Sequence, residues 1–148
     1  GFHAGFNCKA SSDWRAALAK LCPAGIDVYF DNVGGAIGDA VLPLINTHAR
    51  IAVCAQSSQY NLEQPELGPR WLAQLLVKRA RAQGFLVSDY SRRFAEGLKG
   101  MGQWLKQGRL KYREDVAQGL ENAPRALMGM LQGRNLGKQL VQVSGWSA

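Results

Sequence analysis

Residues 31–38 read Asp-Asn-Val-Gly-Gly-Ala-Ile-Gly, directly after the apolar run 26–30. A double glycine between a strand-like run and a helix-like stretch is the place where a dinucleotide enzyme would hold a pyrophosphate. That chemistry calls for G-x-G-x-x-G, which lets backbone amides approach the phosphates at a helix N-terminus. Here the spacing is only G-G-x-x-G. The pattern also asks for an acid about 20 residues on, for the ribose hydroxyl. Counting from Gly34 lands on Cys54-Ala55-Gln56, which holds no acid. A full strand-helix unit also precedes the motif, whereas the fingerprint normally opens its domain. On pattern alone the glycines serve a tight turn.

Other reactive side chains are scattered. Cys8, Cys22 and Cys54 lie far apart, and His3 and His48 stand alone. Zinc needs clustered ligands, so no metal site is expected. An odd cysteine count points to a reducing, cytoplasmic setting. The net charge is +7 over 148 residues. Lys and Arg are spread along the chain, densest at Lys78, Arg79, Arg81, Arg92 and Arg93. No nucleic-acid motif accompanies them, so they read as solvated helix faces and ends rather than a nucleic-acid surface. No apolar run approaches the roughly 20 residues of a membrane helix, and the first residues lack the pattern of a signal peptide. The chain opens without Met almost directly in a β-like segment, as a piece of a longer protein would.

The elements that must position these residues follow from periodicity. Residues 2–8 read as a short strand. Ser11 and Ser12 can cap a helix whose inward face is Trp14, Ala17, Leu18 and Leu21, ended by Pro23 and Gly25. Residues 26–30 have buried-strand character. Ile37, Val41, Leu44 and Ile45 give a helical face kinked at Pro43, and residues 51–54 the next strand. After the polar loop 57–68, a helix is expected over 69–82 with Trp71, Leu75 and Leu76 inward. A strand follows at 84–88. Phe94, Leu98, Met101 and Leu105 mark an amphipathic helix closed by Gly108, and 109–113 a short strand. Asn122 is a cap candidate with Pro124 in the first turn, Gly133 the C-cap, and 138–143 a last strand. Alternating strands and helices argue for a mostly parallel α/β sheet. Ligands of such sheets bind beyond the carboxyl ends of the strands. That singles out 31–35, 54–61 and 85–89.

Five segments carry a more specific signal: IDVYFDNVGG, ARIAVCAQSSQYN, RAQGFLVSDY, GRLKYREDVAQGLENAP and LQGRNLGKQLVQV. In that order the chain resembles the carboxyl-terminal half of the zinc-independent medium-chain dehydrogenase/reductases, closest to the NADPH-dependent alkenal/one oxidoreductases. The resemblance implies an incomplete Rossmann-like parallel sheet with flanking helices over 1–108. It implies a return segment to a GroES-like catalytic domain over 109–148. It implies NADP as cofactor and a small enone as substrate, with hydride delivered to the β-carbon of an α,β-unsaturated ketone or aldehyde. A quinone reductase of the same superfamily, or a nucleotide-binding or dimerisation module without catalysis, remain alternatives.

Site residues carry over by position. Asn32 resembles the family Asn beside the cofactor ribose and phosphates. Cys54, Ser57 and Tyr60 resemble the loop lining the nicotinamide ribose, with Tyr60 near the reacting centre. Phe85, Leu86 and Val87 resemble the strand end whose backbone meets the carboxamide. Asn135 resembles an Asn near the nicotinamide end, and Lys9 is a candidate for the adenosine phosphate. Two positions depart from the pattern: Ala55 stands where the family has Gly, and Cys8 where many relatives have Tyr. The resemblance further implies that the first strand lacks its neighbours and will shift, swap or fray. It also implies a homodimer through the 84–88 strand edge.

Overall fold

The computed structural model describes residues 2–145. The chain divides into two compact units between Asp89 and Tyr90. The helix expected at 94–105 falls in the later of these two units.

In the first unit the elements run α1 (Trp14–Leu21), β1 (Ile26–Asp31), α2 (Gly35–Val41), β2 (Ile45–Val53), α3 (Leu72–Lys78) and β3 (Arg81–Gly84). The three strands are parallel in the order β1-β2-β3. Partners Tyr29↔Ile51 and Asp31↔Val53 share one face. There Val41, Ile45, Ala49 and Ile51 form the buried core, and Leu18 of α1 and Leu75 of α3 pack against it. All three helices thus cover the same face. The alternate residues point the other way. Val28 and Phe30 remain 59% exposed each, and Arg50 pairs directly with Arg81 beside them.

Several elements differ from expectation for identifiable reasons. Residues 2–7 form no strand, and Cys8–Ala10 is a 3-10 turn capped by the Asn7 side chain. With no neighbouring strand, their backbone has nothing to pair with. The α1 cap is Asp13, whose carboxylate accepts from the Ala16 amide at 2.9 Å, not Ser11 or Ser12. Ile45 opens β2 instead of closing a helix, because Pro43 sits in a 3-10 turn, Leu42–Leu44, that ends α2 early. Within β2 four residues, 46–49, face one residue of β1, and His48 adopts φ 64°. This bulge turns Ala49 into the core at 2% exposure. The 69–82 helix is confined to α3, since Arg79 takes a left-handed conformation (φ 48°) and ends it. Leu76 faces solvent there. The last strand of the sheet is Arg81–Gly84 rather than 84–88, because Ala82 and not Leu86 reaches the core.

The second unit holds α4 (Phe94–Lys106), β4 (Glu114–Gln118), α5 (Ala123–Leu131) and β5 (Lys138–Gln142), with β4 and β5 parallel. β4 starts after 113, beyond the expected 109–113. Asn122 precedes α5 but makes no capping bond; its side-chain amide donates to the Gln118 carbonyl at 2.7 Å. Gly133, at φ 66°, ends α5 as expected. Its amide bonds Met130 O and the Arg134 amide bonds Gly129 O, a Schellman closure.

Candidate functional site

The carboxyl ends of β1 and β2 are joined by one acid, Asp31. It is 7% exposed, the one buried charged residue among those described. Its Oδ1 accepts from the Gly34 amide at 2.8 Å, the Val33 amide at 3.2 Å and the Tyr29 hydroxyl at 2.9 Å. Its Oδ2 accepts from Gln56 Nε2 at 3.0 Å. Its backbone carbonyl takes the Cys54 amide at 2.7 Å and the Ala55 amide at 3.2 Å. A buried carboxylate needs such donors to offset lost hydration, and here they come from the two loops that must be aligned and from Tyr29 of β1. Burial first, then the hydrogen bond to Asp31 and its charge, push the Tyr29 phenol well above the ordinary tyrosine range.

Gly34 is required at this crossing. Its φ is 67°, and a Cβ there would land on the Gln56 side-chain amide. The Gln56 orientation follows from its neighbours: Nε2 also donates to the Ala55 carbonyl at 3.0 Å, so the nitrogen faces two acceptors.

The residues singled out by sequence fall as follows. Asn32 is exposed at the tip of the turn. Its carbonyl accepts from Ser57 Oγ at 3.1 Å, and its side-chain amide has no hydrogen-bond partner among the described residues. Cys54 is an exposed free thiol at the end of β2. Tyr60 is 65% exposed, at the end of the 3-10 turn Ser57–Gln59 that docks on the β1 turn through the Ser58 amide and Val33 carbonyl, 3.0 Å. Phe85 continues alongside β2, its amide bonding Val53 O at 3.3 Å and its ring 6.1 Å from that of Phe30. Phe85, Leu86 and Val87 lie beyond β3, not within a strand. The Leu86 amide is held by Asp89 Oδ2 at 2.9 Å, and Leu86 and Val87 are both exposed. The structure thus brings Asn32, Cys54, Ser57, Tyr60 and Phe85 to the carboxyl ends of neighbouring strands. Lys9 sits in the amino-terminal 3-10 turn, where its amide bonds Asn7 Oδ1. Asn135 belongs to the second unit, where its Nδ2 donates to Gly137 O at 2.8 Å across a turn.

A cleft of about 240 Å³ opens on the helix-covered face, lined by Tyr29, Asp31, Gly38, Leu42 and Trp71 among others. None of the individually named cofactor or catalytic candidates lines it, although Asp31, Gly34, Gly35 and Gln56 from the segments 31–35 and 54–61 do. Within it the Tyr29 hydroxyl and the Asp31 carboxylate bond each other, and Asp39 adds a second carboxylate to the lining. At the rim of the cleft, burial and then the charge of Glu66 raise the Asp39 carboxyl above its ordinary range. Asp31 and Gln56 lie within the segments singled out by sequence, 31–35 and 54–61, but neither was given a role there. An acid closing an apolar strand was the available signal for the first.

A family model described as "Zinc-binding dehydrogenase" matches residues 1–141. The chain belongs to the zinc-binding dehydrogenase family. It is 47% identical over 140 residues to the NADPH-dependent curcumin reductase of Escherichia coli (strain K12), covering 91% of this chain and 41% of that enzyme. It is 51% identical over 144 residues to the 2-alkenal reductase (NADP(+)-dependent) of Nicotiana tabacum, covering 97% and 42%. The crystal structure of CurA from Vibrio vulnificus in complex with NADPH superposes with a TM-score of 0.83 at 49% identity, over 92% of this chain and 42% of that one. The chain therefore spans about two fifths of the length of the relatives it matches. Despite the family's name, no group of three or more His, Cys, Asp or Glu among the described residues could hold a metal ion, so the described residues do not fit a zinc site. No helix among them is long and apolar enough to cross a membrane.

Proposed function

We propose that this chain is the carboxyl-terminal part of an NADPH-dependent reductase acting on the C=C bond of α,β-unsaturated ketones or aldehydes. The observation that carries the reading is identity of about half, across nearly the whole chain, to proteins named as NADPH-dependent reductases, one of them solved with NADPH. The strand ends fit such a cofactor: they present the Asn32 amide and the Tyr60 hydroxyl, neither bonded within the described residues, beside a turn whose Gly34 admits no side chain.

NADPH would supply a hydride to the β-carbon of the substrate. Asn32 would hold the ribose and phosphate end, Cys54 and Ser57 the nicotinamide ribose, and Phe85–Val87 the carboxamide through their backbone. Tyr60 would donate a hydrogen bond to the carbonyl oxygen, where negative charge develops as the enolate forms. Asn135 and Lys9 would be further cofactor contacts. The edge at β3 would pair with a second copy, since an open strand edge offers unpaired backbone groups. The free cysteines support a reducing, cytoplasmic location.

The test is NADPH oxidation, followed by absorbance, with the full-length gene product that carries this segment and an enone. Turnover that needs the conjugated C=C bond supports the reading, and consumption of quinones alone would replace it with the quinone-reductase alternative. The 148-residue chain by itself should not turn over. Light scattering should find it dimeric.

A further inference from the structure

We propose that Gln56 is a positioning residue: its bond to Asp31 latches the 54–60 loop onto the β1 turn and so sets where Tyr60 and the ribose-facing groups stand. The inference rests on the NADPH-reductase reading only for what the latched loop binds. Four observations carry the latch itself. Gln56 is the one side chain of the loop that reaches the buried carboxylate, at 3.0 Å among the described hydrogen bonds. Its second bond, to Ala55 O, fixes which way the amide faces. Gly34 leaves the space that this amide fills. Immediately beyond it, the loop makes two further bonds to the same turn, Ser57 Oγ to Asn32 O and the Ser58 amide to Val33 O.

The carboxylate divides its work between its two oxygens. Oδ1 serves the turn and Tyr29, and Oδ2 serves the loop. This division permits a swap of polarity. Gln56→Glu sets two carboxylates against each other and should open the latch. Asp31→Asn can keep its oxygen toward the turn, but its Nδ2 then meets the Gln56 nitrogen. Turning the Gln56 amide to accept from it would press oxygen against the Ala55 carbonyl. In the double variant Asp31→Asn/Gln56→Glu, the Asn nitrogen donates to a Glu oxygen. This charge-assisted bond is about twice as strong as the neutral one and offsets the oxygen's approach to the Ala55 carbonyl, so the latch should close again in part.

Two readouts test this. In the 148-residue chain, hydrogen exchange of the Ser58 amide should quicken about tenfold in each single variant. That is the factor one hydrogen bond to a charged acceptor can supply. It should return toward the parent rate in the double variant, with the β1–β2 ladder amides unchanged throughout. In the full-length enzyme, each single variant should raise the KM for NADPH by a similar factor with kcat changed far less, and the double variant should recover it in part. A generally weakened fold would instead speed ladder exchange and would not be rescued. Unchanged Ser58 exchange, or a double variant no better than the worse single, overturns the latch. Normal exchange rescue with no NADPH turnover in the parent enzyme would overturn the functional reading and leave the latch standing. Turnover with an unaltered KM in the single variants would overturn the link between latch and cofactor.

Discussion

Replacing Asp31 with Ala tests whether one carboxylate organises the strand ends. The cost can be worked bond by bond. The Gly34 amide is buried and would lose its acceptor, at about 1–3 kcal/mol for an orphaned buried group. The half-buried Tyr29 hydroxyl would lose a charge-assisted bond at about 1 kcal/mol. The Val33 amide belongs to an exposed residue, so water can replace its acceptor for roughly a few tenths of a kcal/mol, whereas the part-buried Gln56 amide would lose a bond to a charged acceptor at about 1.5 kcal/mol. Removing a buried charge returns part of its desolvation cost. The net loss is about 3 kcal/mol. With a urea slope of about 2 kcal/mol per molar, the unfolding midpoint should fall by roughly 1.5 M. Asp31→Asn keeps the Oδ1 acceptor and gives up chiefly the Gln56 bond, so it should lose about 1.5 kcal/mol, half the loss of the Ala variant. A drop below about 0.5 kcal/mol for the Ala variant, the range of an ordinary surface change, would refute the claim that Asp31 holds these loops.

Tyr29 gives a pH signature. Its folded pKa is raised, so the folded state binds the phenolic proton more tightly than the unfolded one; that stability is complete below about pH 10 and is lost as pH rises further. Tyr29→Phe should flatten this alkaline decline in urea midpoints while costing about 1 kcal/mol at neutral pH. The Asp39 carboxyl is raised by burial and then by Glu66, so its ionised form opposes folding above the ordinary carboxylate range. Asp39→Asn should therefore raise the urea midpoint at pH 7 and leave it unchanged near pH 3. Arg79 ends α3 at φ 48°, where a side chain costs about 1 kcal/mol; Arg79→Gly should raise the thermal midpoint by about 4 °C, read by circular dichroism.

The sequence disclosed the elements with strong local signals. The apolar 26–30 run, the α1 face with Leu18, the Gly133 closure and the α5 start all lie close to where periodicity and caps put them. What it concealed depends on long-range partners. Residues 2–7 have β-like character but no neighbour to bond. The β2 bulge at His48 reflects its pairing with β1, which no window along the chain reveals. The β3 shift from 84–88 to 81–84 arises because Ala82, a weak hydrophobe by itself, meets Ile51. At the strand ends the eye is drawn to Asn32 and Tyr60, but Asp31 and Gln56 are 25 residues apart, and only the parallel register makes them neighbours.

The uncovered side of the β1-β2-β3 sheet bears on how this chain behaves in concentrated solution. Val28 and Phe30 offer apolar area that would favour stacking one sheet on another at about 10 Å. Arg50 and Arg81, paired across adjacent strands, would then meet the same two cations from the second copy. Below about 0.1 M salt this repulsion reaches across that gap, because the screening length there is about 10 Å or more. Added salt shortens the reach and leaves the apolar attraction in place. The two arginines thus act as an ionic-strength-dependent guard, making the chain most dispersed in dilute buffer and most prone to sheet stacking in brine.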